Sequence, residues 1–276
     1  MSTVLEVSKL SVTLEKGKYE KNILDNIDFS VHQGKCLGIL GESGSGKSMT
    51  AKAILGLLPR EFVVSGKAMY QGKDLLGQSK ETLRQMRGKE ITMVLQNPMT
   101  CFDPLYRVGY QLAETMRVHT DWSKEEIRSR LVQILQDMKI RDGGEVLEKY
   151  PHQLSGGMLQ RIMIGLAMAL KPTLLIADEP TTAIDAIIQY SVIQEFQRIK
   201  EEHGTAMIFI SHDLGAISCV ADDVLVLNQG KVADMGSFHE ILHHAKDPYT
   251  KLLIEKRAAV MQKYRTALKK GGTAYA

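Results

Sequence analysis

Gly41-Glu42-Ser43-Gly44-Ser45-Gly46-Lys47-Ser48 is the stretch on which the reading of this chain turns. It follows Cys36-Leu37-Gly38-Ile39-Leu40, a short apolar run that predicts a buried strand. It leads into Ser48 to Leu58, which predicts a helix ending before Pro59. The loop matches G-x-x-x-x-G-K-[ST] in the strand–loop–helix setting that pattern requires. The physical need is to hold a triphosphate. Glycines let the backbone curl until its N–H groups converge on the phosphates, and the helix N-terminus adds the positive end of its dipole. Lys47 would neutralise the β- and γ-phosphates, and Ser48 would offer its hydroxyl to Mg²⁺.

Two further stretches carry chemistry. Leu174-Leu175-Ile176-Ala177-Asp178-Glu179-Pro180 is an apolar run ending in carboxylates. That places Asp178 at a strand's C-terminal edge, where open α/β sheets bind ligands, and Asp178 would hold Mg²⁺ through water. Glu179 would polarise an attacking water as general base. Leu154-Ser155-Gly156-Gly157-Met158-Leu159-Gln160-Arg161 precedes the helical run Ile162 to Leu170. Ser155 there is either a plain N-cap or part of a second anion site at a helix N-terminus.

Around these stretches the chain reads as alternating strands and helices. Ile27, Phe29 and Val31 fall on one face of a strand, opposite Asn26, Asp28 and Ser30. A second buried strand is predicted at Ile91 to Leu95. From about 97 to 160 the pattern turns helical, with Ile127, Leu131, Ile134, Leu135 and Met138 on one stripe and a capping box at Ser123 and Glu126. Leu174 to Ala177 and Met207 to Ile210 predict buried parallel strands joined by a crossover helix of about 15 residues. Val224 to Leu227 and Lys231 to Ala233 predict a closing hairpin.

The chain has 276 residues, so one nucleotide-binding domain with an inserted subdomain is expected. Its 35 basic side chains face 32 acidic ones, and a net charge of +3 gives no electrostatic footprint for nucleic acid. The one basic run, Lys263, Arg265, Lys269 and Lys270, reads as a solvated or frayed end, with attraction to a membrane surface as the second reading. Cys36, Cys101 and Cys219 lie too far apart for a disulfide framework or a zinc site. No signal peptide and no run of roughly 20 apolar residues is visible, so any membrane role is expected to come through partners. The pair His243-His244 reads as solvated surface, since no third ligand is spaced to help it hold a metal.

The phosphate loop, then LSGG, then LLIADEP, then Ser211-His212-Asp213, in that order, resembles the ATPase subunit of ABC transporters over nearly the whole chain. The resemblance implies an α/β fold, the P-loop NTPase fold of ABC type. It would have a mostly parallel sheet, an N-terminal antiparallel β part and an inserted helical subdomain. It implies residues 1–96 and 161–246 as the ATPase core, 97–160 as the helical subdomain and 247–276 as a helical tail. ATP would be held by Gly41, Ser43, Gly44, Ser45, Gly46, Lys47, Ser48 and Met49, with Mg²⁺ on Ser48, Gln96 and Asp178. Gln96 would sense the metal and the transmembrane subunits, and His212 would contact the γ-phosphate. Ser155, Gly156 and Gly157 would contact ATP on the opposite subunit, with Asp185 in the segment that crosses the dimer. Tyr19 would stack on adenine, with a surface tyrosine as the alternative.

The implied partners are two transmembrane permease subunits, an extracytoplasmic substrate-binding protein, and a second ATPase that is a related chain or another copy of this one. The implied place is the cytoplasmic face of the cell membrane. Non-transport members carry long coiled-coil insertions or two cassettes, and the chain shows neither. Met158 and Ile184 depart from the commoner Gln and Leu without removing a phosphate contact or proton acceptor.

Within the family, Gln96 to Pro104, the Ser155-Gly156-Gly157-Met158 signature with Gln160-Arg161, and Asp247-Pro248-Tyr249-Thr250 resemble the peptide/nickel group of importers. Leu159, where peptide-type members carry Arg, and the short stretch after Tyr249 lean towards nickel or a metal–opine complex. Di- and oligopeptides stand as the alternative.

Overall fold

A computed structural model describes residues 2–17, 19–182, 184 and 186–256, without the side chains of residues 186 and 187. The chain begins with strands β1 (Thr3–Lys16), β2 (Tyr19–His32) and β3 (Cys36–Leu40), then helix α1 (Lys47–Ile54). Strands β4 (Phe62–Tyr70) and β5 (Lys73–Asp74) follow, then α2 (Lys80–Met86) and β6 (Ile91–Val94). Next come α3 (Val108–His119), α4 (Lys124–Asp137), α5 (Gly143–Glu148) and α6 (Gly156–Ala169). The last part holds β7 (Leu174–Asp178), α7 (Ala186–His203), β8 (Ala206–Ser211), α8 (Leu214–Val220), β9 (Asp223–Asn228), β10 (Lys231–Ser237) and α9 (Phe238–His244). A further helical segment spans residues 248–256.

Two sheets result. One is antiparallel, in the order β2-β1-β4-β5; the other runs β10-β9-β3-β8-β7-β6, with β10 antiparallel to β9 and the remaining pairs parallel. The apolar runs of β3, β7 and β8 look continuous because both faces of the parallel sheet are covered. Alternation sorts their side chains into two cores. Cys36, Leu40, Leu175, Ala177, Met207 and Phe209 face α6, α7 and α8. Leu37, Ile39, Leu174, Ile176, Ile208 and Ile210 face α1 and the antiparallel sheet, meeting Leu24 and Ile27 of β2. Each fully buried Leu or Ile in these layers contributes about 1.5–3 kcal/mol.

The helical stretch between β6 and α6 forms as its periodicity predicts. Val108, Leu112 and Met116 make the buried stripe of α3, and Ile127, Leu131 and Leu135 that of α4. Ser123 Oγ accepts the Glu126 N–H at 3.2 Å while Glu126 Oε2 accepts the Ser123 N–H at 2.8 Å, so the capping box is complete. The helix predicted from Ser48 to Leu58 is shorter than expected. It stops at Ile54 because Gly56 takes the left-handed conformation, φ +61°, and ends the turn four residues before Arg60. Among the described residues no helix is long and apolar enough to cross a membrane.

Asp222 ties this sheet to α7. Its carboxylate accepts the Cys36 N–H at 2.8 Å, Lys35 Nζ at 3.0 Å and Lys200 Nζ at 3.2 Å. Partial burial alone would raise the carboxyl, but those three donors outweigh it and hold it below the usual carboxylate range. A depressed folded value means the contribution is present above the unfolded value, about 3.9, and is lost as pH falls through the folded one. Asp222→Asn is therefore expected to lose about 1–3 kcal/mol at neutral pH, the worth of hydrogen bonds to a charged group. Its urea midpoint should also fall less steeply below about pH 4 than that of the wild type. Parallel acid-side curves for the two proteins would remove Asp222 from this role.

Candidate active site

The residues singled out by their motifs arrive at the C-terminal edge of the parallel sheet, each from the end of a different strand. The phosphate loop leaves β3, Gln96 follows β6, Asp178 ends β7 with Glu179 next to it, and His212 follows β8. Ser43, Gly44, Gly46, Lys47, Ser48, Met49, Gln96, Glu179 and His212 line one cavity of about 540 Å³. Gly41, Ser45 and Asp178 do not line it but are hydrogen-bonded to residues that do: Gly41 O to Lys47, the Ser45 N–H to Glu42 O at 3.2 Å, and Asp178 to Ser48.

Local backbone chemistry shapes the loop. Gly46 is the N-cap of α1 at φ +107°, and a Cβ there would lie 2.5 Å from Leu24 Cδ2, so only glycine fits. No side chain caps α1 and its first turn holds no acid, which leaves its dipole end open to an anion. Lys47, only 6% exposed, donates from Nζ to Gly41 O at 2.8 Å and Glu42 O at 3.0 Å. Its Nζ also lies 3.9 Å from Glu179 Oε1.

Opposite the loop, Glu179 is 6% exposed and sits in the left-handed region at φ +48°. For a residue with a side chain that conformation costs roughly 1–2 kcal/mol, and here it swings the carboxylate off the strand direction towards Lys47. The Glu179 N–H donates to Ile210 O at 2.9 Å, which fixes the turn. Glu179 Oε2 accepts His212 Nδ1–H at 2.7 Å and Thr182 Oγ1–H at 3.0 Å. His212 is half-exposed, so it forms the rim of the site and Glu179 its floor.

Asp178 Oδ1 accepts the Ser48 hydroxyl at 2.7 Å. Burial pushes the Asp178 carboxyl above the usual range; the Ser48 hydrogen bond opposes this and neighbouring Glu179 adds to it. Two buried carboxylates side by side beside one hydroxyl suit a hard divalent cation, which takes oxygen ligands and would relieve that penalty. Ser45 Oγ is buried and has no hydrogen-bond partner among the described residues. The loop thus presents an uncapped helix end, a buried ammonium and an unsatisfied hydroxyl, a set that fits Mg²⁺-bound triphosphate. When bound, Mg²⁺ would supply charge neutralisation of the phosphates, with Ser48, Gln96 and Asp178 as the residues to hold it.

Some expected residues lie elsewhere. Ser155 is the N-cap of α6, its Oγ accepting the Met158 N–H at 3.2 Å, and with Gly156 and Gly157 it stays outside the cavity. Tyr19 opens β2, is 57% exposed and does not line the cavity. Asp185, Lys263, Arg265, Lys269 and Lys270 lie outside the described residues. Ile23 and Glu42 do line the cavity, and Thr182 steadies Glu179. The sequence carries no signal for Ile23 or Thr182 beyond nearness to a motif, and Glu42 occupies one of the loop pattern's open positions.

A larger hollow of about 630 Å³ between α4 and α7 holds none of these residues, and its Arg198 is paired with Glu195 and Glu202. On α9 the His239 ring lies 4.6 Å from that of His243, closer than the sequence suggested for any third histidine. Even so, no group of three His, Cys, Asp or Glu among the described residues is arranged to hold a metal ion.

A phosphate loop facing a buried, braced glutamate at the edge of a parallel sheet defines a nucleotide-hydrolysing P-loop protein. The ABC transporter family model matches residues 24–182, and the chain belongs to that family as an ATPase coupled to transport. The metal-staphylopine import system ATP-binding protein CntD of Staphylococcus aureus is 42% identical over 97% of this chain and 98% of that protein. The dipeptide transport ATP-binding protein DppD of Escherichia coli is 40% identical over 91% of this chain and 77% of its own length. The dimeric ATP-binding cassette MJ0796 with ADP and Pi superposes with a TM-score of 0.77 at 24% identity, covering 85% of this chain and 98% of that one. The fold is thus the ABC ATPase cassette.

Proposed function

We propose that the chain is the motor of an importer for a transition-metal chelate, such as nickel or a metal–opine complex. The observation that carries this is the near end-to-end similarity to the metal-staphylopine ATPase, over 97% of one chain and 98% of the other. The dipeptide relative, at 40% identity, keeps a di- or oligopeptide importer as the second reading. The residues of this subunit bear on the cargo only through ancestry. Leu159, which leans towards the metal reading, is buried in α6 and touches no cargo.

In this reading Lys47 and the loop amides bind the phosphates, and Gln96 with Asp178 and Ser48 holds Mg²⁺. Glu179 takes the proton of the attacking water, with His212 and Thr182 holding its carboxylate in place. Ser155, Gly156 and Gly157 complete the site of an opposing ATPase subunit, a related chain or a second copy, and Asp185 and Tyr19 complete the contacts to nucleotide and dimer. Two permease subunits carry the pair at the cytoplasmic face of the membrane, and an extracytoplasmic binding protein delivers cargo.

The test is uptake in cells making either the wild type or Glu179→Gln. Radioactive nickel is supplied free and as an opine chelate, and a labelled dipeptide is run alongside. Metal uptake lost in the mutant with dipeptide uptake intact is the expected result. Dipeptide uptake lost with metal uptake intact would replace the metal reading by the peptide one.

A further inference from the structure

We propose that Tyr249 is a positioning residue for the phosphate loop, tying the C-terminal helical segment to the peptide that holds Lys47. Tyr249 Oη accepts the Glu42 N–H at 2.9 Å, across 207 residues of sequence. That N–H belongs to the peptide unit whose carbonyl is Gly41 O, and Gly41 O accepts Lys47 Nζ at 2.8 Å. A peptide unit is planar, so its N–H and C=O cannot turn independently. The hydroxyl therefore sets the angle of the carbonyl against which the lysine is held. The two hydrogen bonds also polarise the same amide in the same sense, so each strengthens the other.

The tyrosine is itself firmly placed. Its ring packs on the core that includes α6 and α8, and its N–H donates to Asp247 Oδ1 at 2.7 Å. The preceding backbone is tied to β10, where Asp234 accepts the Lys246 N–H at 3.3 Å and the Asp247 N–H at 3.0 Å. Thr250, the next residue, and Leu253, one helical turn along, are buried. A closing hairpin and a helical segment anchored through Thr250 and Leu253 thus brace the phosphate loop. Preorganisation of this kind improves binding of the charged end of a ligand, because less ordering is left to be done on association.

This inference rests on the reading of Lys47 as the phosphate-binding lysine, so the experiment includes Lys47→Ala. Full-length wild type, Tyr249→Phe and Lys47→Ala are compared for MgATP affinity by calorimetry, and for KM and kcat in the assembled transporter. Phe keeps the ring and loses only the hydroxyl, so thermal stability should be close to wild type. MgATP Kd and KM are expected to rise about five- to tenfold, the net worth of one hydrogen bond, with kcat near the wild-type value. A merely structural role would lower kcat through loss of active protein and leave KM alone. Wild-type Kd and KM in Tyr249→Phe, beside the large loss in Lys47→Ala, would overturn the Tyr249 proposal by itself. Wild-type affinity in Lys47→Ala would instead overturn the reading on which it rests.

Discussion

Glu179→Gln is expected to bind MgATP with wild-type affinity and to hydrolyse it about 10²- to 10⁴-fold more slowly, the range over which a positioned general base contributes. The substitution is nearly isosteric. The amide oxygen still accepts from His212 and Thr182, so the φ +48° turn and the floor of the site stay in place. What disappears is the only function the amide lacks, which is to take a proton. Removing the negative charge relieves repulsion at Asp178 but also takes away the carboxylate 3.9 Å from Lys47, so the two effects on the folded state oppose each other. Phosphate release and equilibrium binding of a fluorescent ATP analogue, measured on one preparation, separate the two effects. Near-normal phosphate release would take Glu179 out of the base role and leave water activation to another group.

Lys47→Ala is expected to fail one step earlier, at binding. Its ammonium is almost wholly buried, and it faces two backbone carbonyls and the Glu179 carboxylate. Truncating one member of such a buried charged set costs about 2–5 kcal/mol, a fall in MgATP affinity of about thirtyfold to a few thousandfold. The loss is larger for ATP than for adenosine, because the ammonium addresses the phosphates and not the base. Lys47→Arg keeps the charge but spreads it over a planar fork too large for a pocket framed by Gly41 O and Glu42 O, and so should restore little. Calorimetric titration with MgATP and with adenosine reads both effects. Unchanged MgATP affinity in Lys47→Ala would place the phosphates somewhere other than this loop.

The parts of the protein that could be read directly from its residues are those governed by rules acting over a few positions. Gly41 to Ser48 implies a phosphate loop because glycine conformational freedom and one lysine suffice to describe it. Ser123 and Glu126 imply a helix start because both hydrogen bonds of the box close within one turn. The buried strands of the parallel sheet are short apolar runs that have no other place to go. Strand β1 was hidden for the converse reason. Its pairing with β2 shifts register between Val7 and Leu10, with Lys9 at φ +51°, so its apolar residues do not keep period two.

Tertiary structure alone decided the site's working geometry. Lys47, Glu179 and His212 stand on three different strand ends, and the strand order β3-β8-β7 brings Glu179 to 3.9 Å from Lys47 and 2.7 Å from His212. The left-handed turn at Glu179 is unfavourable by itself and persists because Ile210 O and Thr182 hold it. The contact of Tyr249 with Glu42 likewise exists only once the last hairpin has packed. Local sequence determined which chemical groups this protein carries and on what kind of element each one sits. Their distances were decided by long-range packing, because strand order and register depend on which apolar faces bury one another, and no window of neighbouring residues contains that choice.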